Sequence, residues 1–216
     1  MTRIKFCGLR EVGDASHAAA IGATYGGVIL TRSRRQVSTA RAREIFADAP
    51  SLKRVGVLGR ETVPRILKMA SEASLDILQL HASFSLDEHA ELRQEFDGQI
   101  WAVVGMDRVT GEPVQPWKEV MDVADALVLD TSDAGASGGT GKPFNWAAAA
   151  GIVREMTREM PVVLAGGLTP RNVVAAIEQL QPAVVDVSSG VESSPGLKSA
   201  DLMSAFARAV LSASIV

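Results

Sequence analysis

The residues in this sequence that could do chemistry recur at one kind of place, the end of a short apolar run. The only cysteine, Cys7, closes the run "IKFCG" (4–8) beside a glycine. A lone thiol there is either a small packed hydrophobe or, under positive potential, a reactive group. His81 ends "DILQLH" and Asp130 ends "DALVLD", with Thr131 next. Two later runs give way to "AGGLTPRNV" and "VSSGVESSPGLK". Gly166, Gly167, Ser189 and Gly190 fall in these stretches, where bare backbone N–H groups can approach an anion ahead of a helical segment. The other use of such glycines is a tight turn without a ligand. Arg32, Arg34 and Arg35 cluster in "TRSRRQVS", as a solvated charge patch or an anion clamp.

Positioning these groups falls to an alternating pattern. Eight β-branched runs (4–8, 25–30, 53–58, 76–81, 99–106, 125–130, 161–166 and 183–189) are separated by Ala-, Glu- and Arg-rich stretches, several opening on a residue that caps helices. Strands apolar on both faces and separated by helices imply a parallel sheet covered by helices. Eight such units in 216 residues predict an α/β fold, a (β/α)8 TIM barrel in a single domain over 1–216. An open doubly wound sheet would carry GxGxxG after its first strand, and "CGLREVGD" lacks it. The least regular helix is 115–123, interrupted by Pro116, and His17 and His89 are expected on helix surfaces.

In a barrel the site is built at the carboxyl edge of the strands, which is where these groups concentrate. The last two βα loops are also the expected phosphate position. The loop 131–145, "TSDAGASGGTGKPFN", is long and rich in small residues, which reads as a lid or as disorder. Its "GGTGK" is no Walker motif, because Pro143 follows Lys142 where Ser or Thr is required.

Bulk composition narrows the function further. A net charge of −3 gives no basic balance to attract a nucleic-acid backbone. One cysteine excludes an internal disulfide, and no Cys/His cluster suggests a metal. The start "MTRIKFCG" has no signal-peptide character and no apolar run reaches membrane-spanning length, so a cytoplasmic location is expected.

The blocks "KFCGLR", "SRRQVS", "VGVL", "LQLH", "LDT" with "GGTGKPFNW", "LAGGLTPRNV" and "VDVSSGVESSPGLK" run in order from residue 5 to 198 and resemble the phosphoribosylanthranilate isomerases of tryptophan biosynthesis. The resemblance implies a monomeric or homodimeric barrel that needs no cofactor. It also implies conversion of a phosphorylated sugar-amine, N-(5-phosphoribosyl)anthranilate, to its ketose isomer. It implies Cys7 as general base, Asp130 as general acid, Arg35 on the anthranilate carboxylate, and a histidine at the fourth strand end, here His81, which either binds substrate or makes a structural hydrogen bond. A free thiol with pKa about 8.5 is only about 3% ionised at pH 7, so such a base requires local activation.

The sequence departs from the family's usual residues at Arg10, Gln36, Ala82, Asn145 and Ser199. Arg10 either lowers the thiol's pKa or obstructs the site. Two other readings of a phosphate-binding barrel remain: a sugar-phosphate aldolase or synthase, for which a strand-end Schiff-base lysine is wanted, and a non-catalytic ligand-binding barrel.

Overall fold

In the computed structural model, which describes residues 1–81, 84–132 and 142–213, each apolar run becomes a strand. These are β1 (Arg3–Phe6), β2 (Tyr25–Ile29), β3 (Lys53–Leu58), β4 (Ile77–Leu80), β5 (Gln99–Asp107), β6 (Ala126–Ser132), β7 (Val162–Leu164) and β8 (Val184–Val187). All neighbours pair in parallel, and β8 returns to β1, closing the barrel in sequence order. Among the described residues seven α-helices flank it: α1 (Val12–Ala20), α2 (Thr39–Ala47), α3 (Val63–Ala73), α4 (Leu86–Glu95), α5 (Trp146–Glu159), α6 (Val173–Leu180) and α7 (Ala200–Ala213). A small antiparallel hairpin, β9 (Glu192–Ser194) and β10 (Leu197–Lys198), follows β8.

The helix starts follow from side-chain chemistry. Ser38 accepts from the Arg41 N–H, Asn145 from the Ala148 N–H, and Ser85 with Glu88 forms a reciprocal capping box. Each satisfies backbone donors that the first turn leaves free. Between β5 and β6 the expected helix over 115–123 is instead one 3-10 turn, Lys118–Val120, after Pro116. A proline in so short a segment removes a hydrogen-bond donor and limits continuation, and the turn is anchored by buried Trp117.

Alternate strand residues serve two cores. Ile4 and Phe6 of β1 face outward to the helix layer, where Phe6 meets Phe206 of α7 edge to face at 6.0 Å. Inside the barrel lies an apolar plug of Tyr25, Val55, Ile77, Trp101, Val128, Val163 and neighbours. Burying each such side chain contributes about 1.5–3 kcal/mol. Nearer the carboxyl edge, buried polar groups replace apolar ones: Lys5, Gln79 and Asp186.

Of the two helix histidines expected at the surface, His89 is buried and His17 only partly exposed. His89 is 2% exposed, its Nδ1 within 3.0 Å of the Ser85 carbonyl and its ring against Phe84, because it shares the inward face of α4 with Leu92. His17 is half-buried, with Nε2 near the Ala200 carbonyl and the Ser204 hydroxyl, and ties α1 to α7. Among the described residues no helix is long and apolar enough to cross a membrane.

Candidate active site

Cys7 stands one residue past β1, where its N–H still bonds to the Val187 carbonyl of β8. Gly8 follows at φ +71°, a conformation suited to glycine, and brings the Leu9 N–H to the Gly27 carbonyl. A β-carbon at Gly8 would lie 2.7 Å from Cδ of Arg35. The absent side chain therefore lets the arginine stem cross the chain right beside the thiol. Burial pushes the Cys7 thiol above its ordinary value; Lys5 and Lys198 pull it down, and Asp186 adds to the rise.

Asp130 lies within β6, two strands from β8 around the barrel. Its Oδ1 accepts the Thr131 N–H at 2.8 Å and its Oδ2 faces His81 Nε2 at 3.4 Å. The hydrogen bond to Asp130 raises the His81 imidazole above its ordinary value despite burial. His81 thus serves the carboxyl of Asp130 and is placed by β4, its N–H bonded to the Leu58 carbonyl of β3.

The glycine loops close over this carboxyl. Gly166 has φ +84°, and a side chain there would strike Thr131 and come within 3.0 Å of Asp130 Oδ1. Gly167, at φ +65°, abuts Lys142 and Pro143. Asn172 braces the turn by donating to the Gly167 carbonyl while accepting the Thr169 N–H. Gly190, in the 3-10 turn Ser189–Val191, packs directly on the Leu168 carbonyl, so the β7 and β8 loops interlock through a missing side chain. Among the described residues the Gly166 and Gly167 N–H groups make no hydrogen bond, which leaves them free for an anion.

Arg35 is held by Glu192 of β9 through two parallel bonds. Glu192 also receives the Gly196 N–H and the Lys198 ammonium, and Lys198 donates to the Ser188 carbonyl. Burial alone would raise the Glu192 carboxyl, yet these partners bring it down to about 2.

The predicted groups Cys7, Arg35, His81, Asp130, Gly166, Gly167, Ser189 and Gly190 all lie at the carboxyl edge of the barrel. Lys5, Asp186, Glu192 and Lys198 join them without having been singled out in the sequence. A lysine within "RIKFC" and an aspartate within "VVDVS", both inside otherwise apolar runs, were the available signal. Of the departures, Arg10 turns to Gly196 in the hairpin, and the cations acting on the thiol include Lys5, Lys198 and Arg35. Asn145 caps α5, Ser199 accepts the Leu202 N–H at the start of α7, and Gln36 donates to the Leu30 carbonyl. Asn and Ser cap as well as Asp does, which makes two of these departures conservative. Ala82 and the central part of the predicted lid, 133–141, lie outside the described residues.

Comparison with known proteins places this arrangement. The family model for N-(5'-phosphoribosyl)anthranilate (PRA) isomerase matches residues 4–209. The N-(5'-phosphoribosyl)anthranilate isomerase of Haloferax volcanii is 37% identical over 217 residues, covering 99% of this chain and 95% of the relative. The crystal structure of the isomerase from Thermotoga maritima superposes with a TM-score of 0.84 at 30% identity, covering 98% of this chain and all of the other. A second isomerase structure, in complex with reduced 1-(O-carboxyphenylamino)-1-deoxyribulose 5-phosphate, gives 0.79 at 28% identity, with 98% and 100% covered. With its barrel and nearly its whole length in common with them, the chain belongs to the N-(5'-phosphoribosyl)anthranilate isomerase family.

Proposed function

We propose that the chain isomerises N-(5'-phosphoribosyl)anthranilate to 1-(2-carboxyphenylamino)-1-deoxyribulose 5-phosphate with Asp130 as general acid and Cys7 as general base. The activity is that of the family, a step of tryptophan biosynthesis, and the assignment of residues is our reading. Asp130 gives a proton to the furanose ring oxygen, the ring C–O bond breaks, and the anthranilate nitrogen supplies electrons to form an iminium at C1'. That cation acidifies the C2' hydrogen. The Cys7 thiolate takes it, and the C–H electrons close a C1'–C2' double bond while the nitrogen becomes neutral. The resulting enolamine loses its hydroxyl proton and gains one at C1', giving the ketone with no net change in composition.

One relationship carries this reading: the thiol and the carboxyl stand at the carboxyl edges of β1 and β6, with the two interlocked glycine loops after β7 and β8 between them around the rim. A phosphorylated substrate held by those loops spans from one to the other. The ligand of the related complex, a ribulose 5-phosphate joined to a carboxyphenylamine, has the three parts this site suits: phosphate for the loops, a sugar chain between acid and base, and a carboxylate for Arg35. Lys5 is a buried cation whose affinity for its proton is raised on balance by Asp186, the reverse of what Schiff-base chemistry requires. The test is turnover of freshly generated N-(5'-phosphoribosyl)anthranilate by the purified chain, read as ketose formation. Turnover is expected; its absence in folded protein that still binds the product would leave only a ligand-binding barrel.

A further inference from the structure

The side chain of Lys5 has no exposure to solvent, and it points into the barrel two residues before the thiol on the same strand face. Its ammonium donates to Asp186 Oδ2 at 2.7 Å, across the β1–β8 pairing where the two residues stand in register. A buried ion pair contributes little stability over packed apolar groups, because desolvating both charges offsets most of their attraction. Its place under the candidate base therefore calls for a chemical reason.

The geometry supplies one. An ammonium has three N–H donors, and the bond to Asp186 uses one. A β-carbon placed on Gly27 of β2 would lie 3.2 Å from Cys7 Sγ and 3.2 Å from Lys5 Nζ. The sulfur and the ammonium thus meet over the same glycine, in space that any side chain would invade. The charged groups around the thiol are Lys5 from β1, Asp186 from β8, Lys198 from β10 and Arg35 from the β2–α2 loop. From the far side, Asp130 of β6 acts on Asp186, while Lys5 acts on His81 of β4.

We propose that Lys5, anchored by Asp186, is the positioning residue of the base, turning a free N–H to the Cys7 sulfur when its proton leaves and so holding the thiolate the reaction uses. The proton departs to water at the barrel mouth, and the thiolate then accepts the C2' proton. This rests on Cys7 being the base. Asp186 fixes the ammonium and keeps the cation in place where the Lys5 side chain has no exposure to solvent.

The chain has a single cysteine, so alkylation by iodoacetamide, followed by intact mass, reads Cys7 alone. Its rate against pH gives the midpoint of the thiol. Lys5→Met should move that midpoint up by roughly one to three units, the effect of losing an opposite charge at close range. Lys5→Met/Asp186→Asn leaves no unpaired buried charge and protects against a fold lost for that reason. It should move the midpoint up by less, because the opposing influence of Asp186 is removed too. The thiol limb of the kcat/KM profile should follow the same shifts. A midpoint within about 0.3 unit of the wild type in either folded variant overturns the proposal. Loss of the fold in the neutral double variant also overturns it, by making the pair structural. Wild-type turnover by Cys7→Ala would instead overturn the base assignment, and the alkylation midpoints distinguish that failure from this one.

Discussion

Arg35 and Glu192 meet edge to edge, with Nε donating to Oε1 at 2.6 Å and Nη2 to Oε2 at 2.9 Å. This occupies two of the five guanidinium N–H groups and leaves the end fork, one N–H on each terminal nitrogen, free for a planar carboxylate. Glu192 therefore aims the arginine, and Gly8 clears its path. Arg35→Ala should lose about 1.5–3 kcal/mol of substrate interaction, seen as a raised KM, with Glu192→Gln losing less. Arg32→Ala and Arg34→Ala, at exposed positions, should change little. Equal effects from all three arginines would return the cluster to a solvated charge patch.

The same contact sets an acid limit to stability. Glu192 titrates at about 2 in the folded chain against 4.5 ordinarily. A folded value below the unfolded one stabilises the protein above about pH 4.5, and that contribution is lost as pH falls toward 2. The ceiling is about 3 kcal/mol. Urea unfolding at pH 5 and near pH 2.5 should show Glu192→Gln losing less on acidification than the wild type does. Equal losses would mean that this carboxylate contributes nothing to the dependence.

Phosphate binding is tested at the interlock. Gly190→Ala places a methyl against the Leu168 carbonyl and must part the two loops, so KM should rise and competition by inorganic phosphate should weaken. Gly167→Asp adds strain at φ +65° and a carboxylate where the dianion is expected, and should be worse. Unchanged Michaelis behaviour in a folded Gly167→Asp variant would remove the cradle from these loops.

His81 beside Asp130 keeps its proton to higher pH than an ordinary imidazole, whereas the Cys7 thiol gives its proton up only above its ordinary value. The acid half of the reaction fades as pH rises and the base half grows. Their product gives a plateau in kcat/KM that bends at low pH where the His81 imidazole titrates and at high pH where the thiol does. His81→Gln should displace the lower bend and leave the upper one. A lower bend that stays in place would separate His81 from the acid.

The strands were legible because eight β-branched runs are hard to read otherwise, and their order fixed which loops share a rim. What could not be read was parity. In a parallel strand buried on both faces, nothing in "RIKFC" says that Lys5 and Cys7 look inward while Ile4 and Phe6 look out, so the cation beneath the thiol stayed hidden. His89 was missed for a related reason: α4 is polar nearly all round, and its inward face shows only once Leu92 is seen packed. Glu192 and Lys198 reach Arg35 and the thiol through a hairpin whose pairing no local pattern announces. Cys7, Asp130 and the glycine loops were legible because strand ends are where this architecture keeps its chemistry.

The proposed roles make Cys7 and Asp130 the base and acid of one reaction. The most direct measurement is turnover of freshly generated N-(5'-phosphoribosyl)anthranilate by Cys7→Ala, Asp130→Asn and the double variant, each checked for its fold. Each single variant should lose at least about 10²-fold in kcat, and the double should lose far less than the product of the two. Full turnover by folded Cys7→Ala would contradict the assignment, leaving the thiol a packed hydrophobe and Asp130 without a partner.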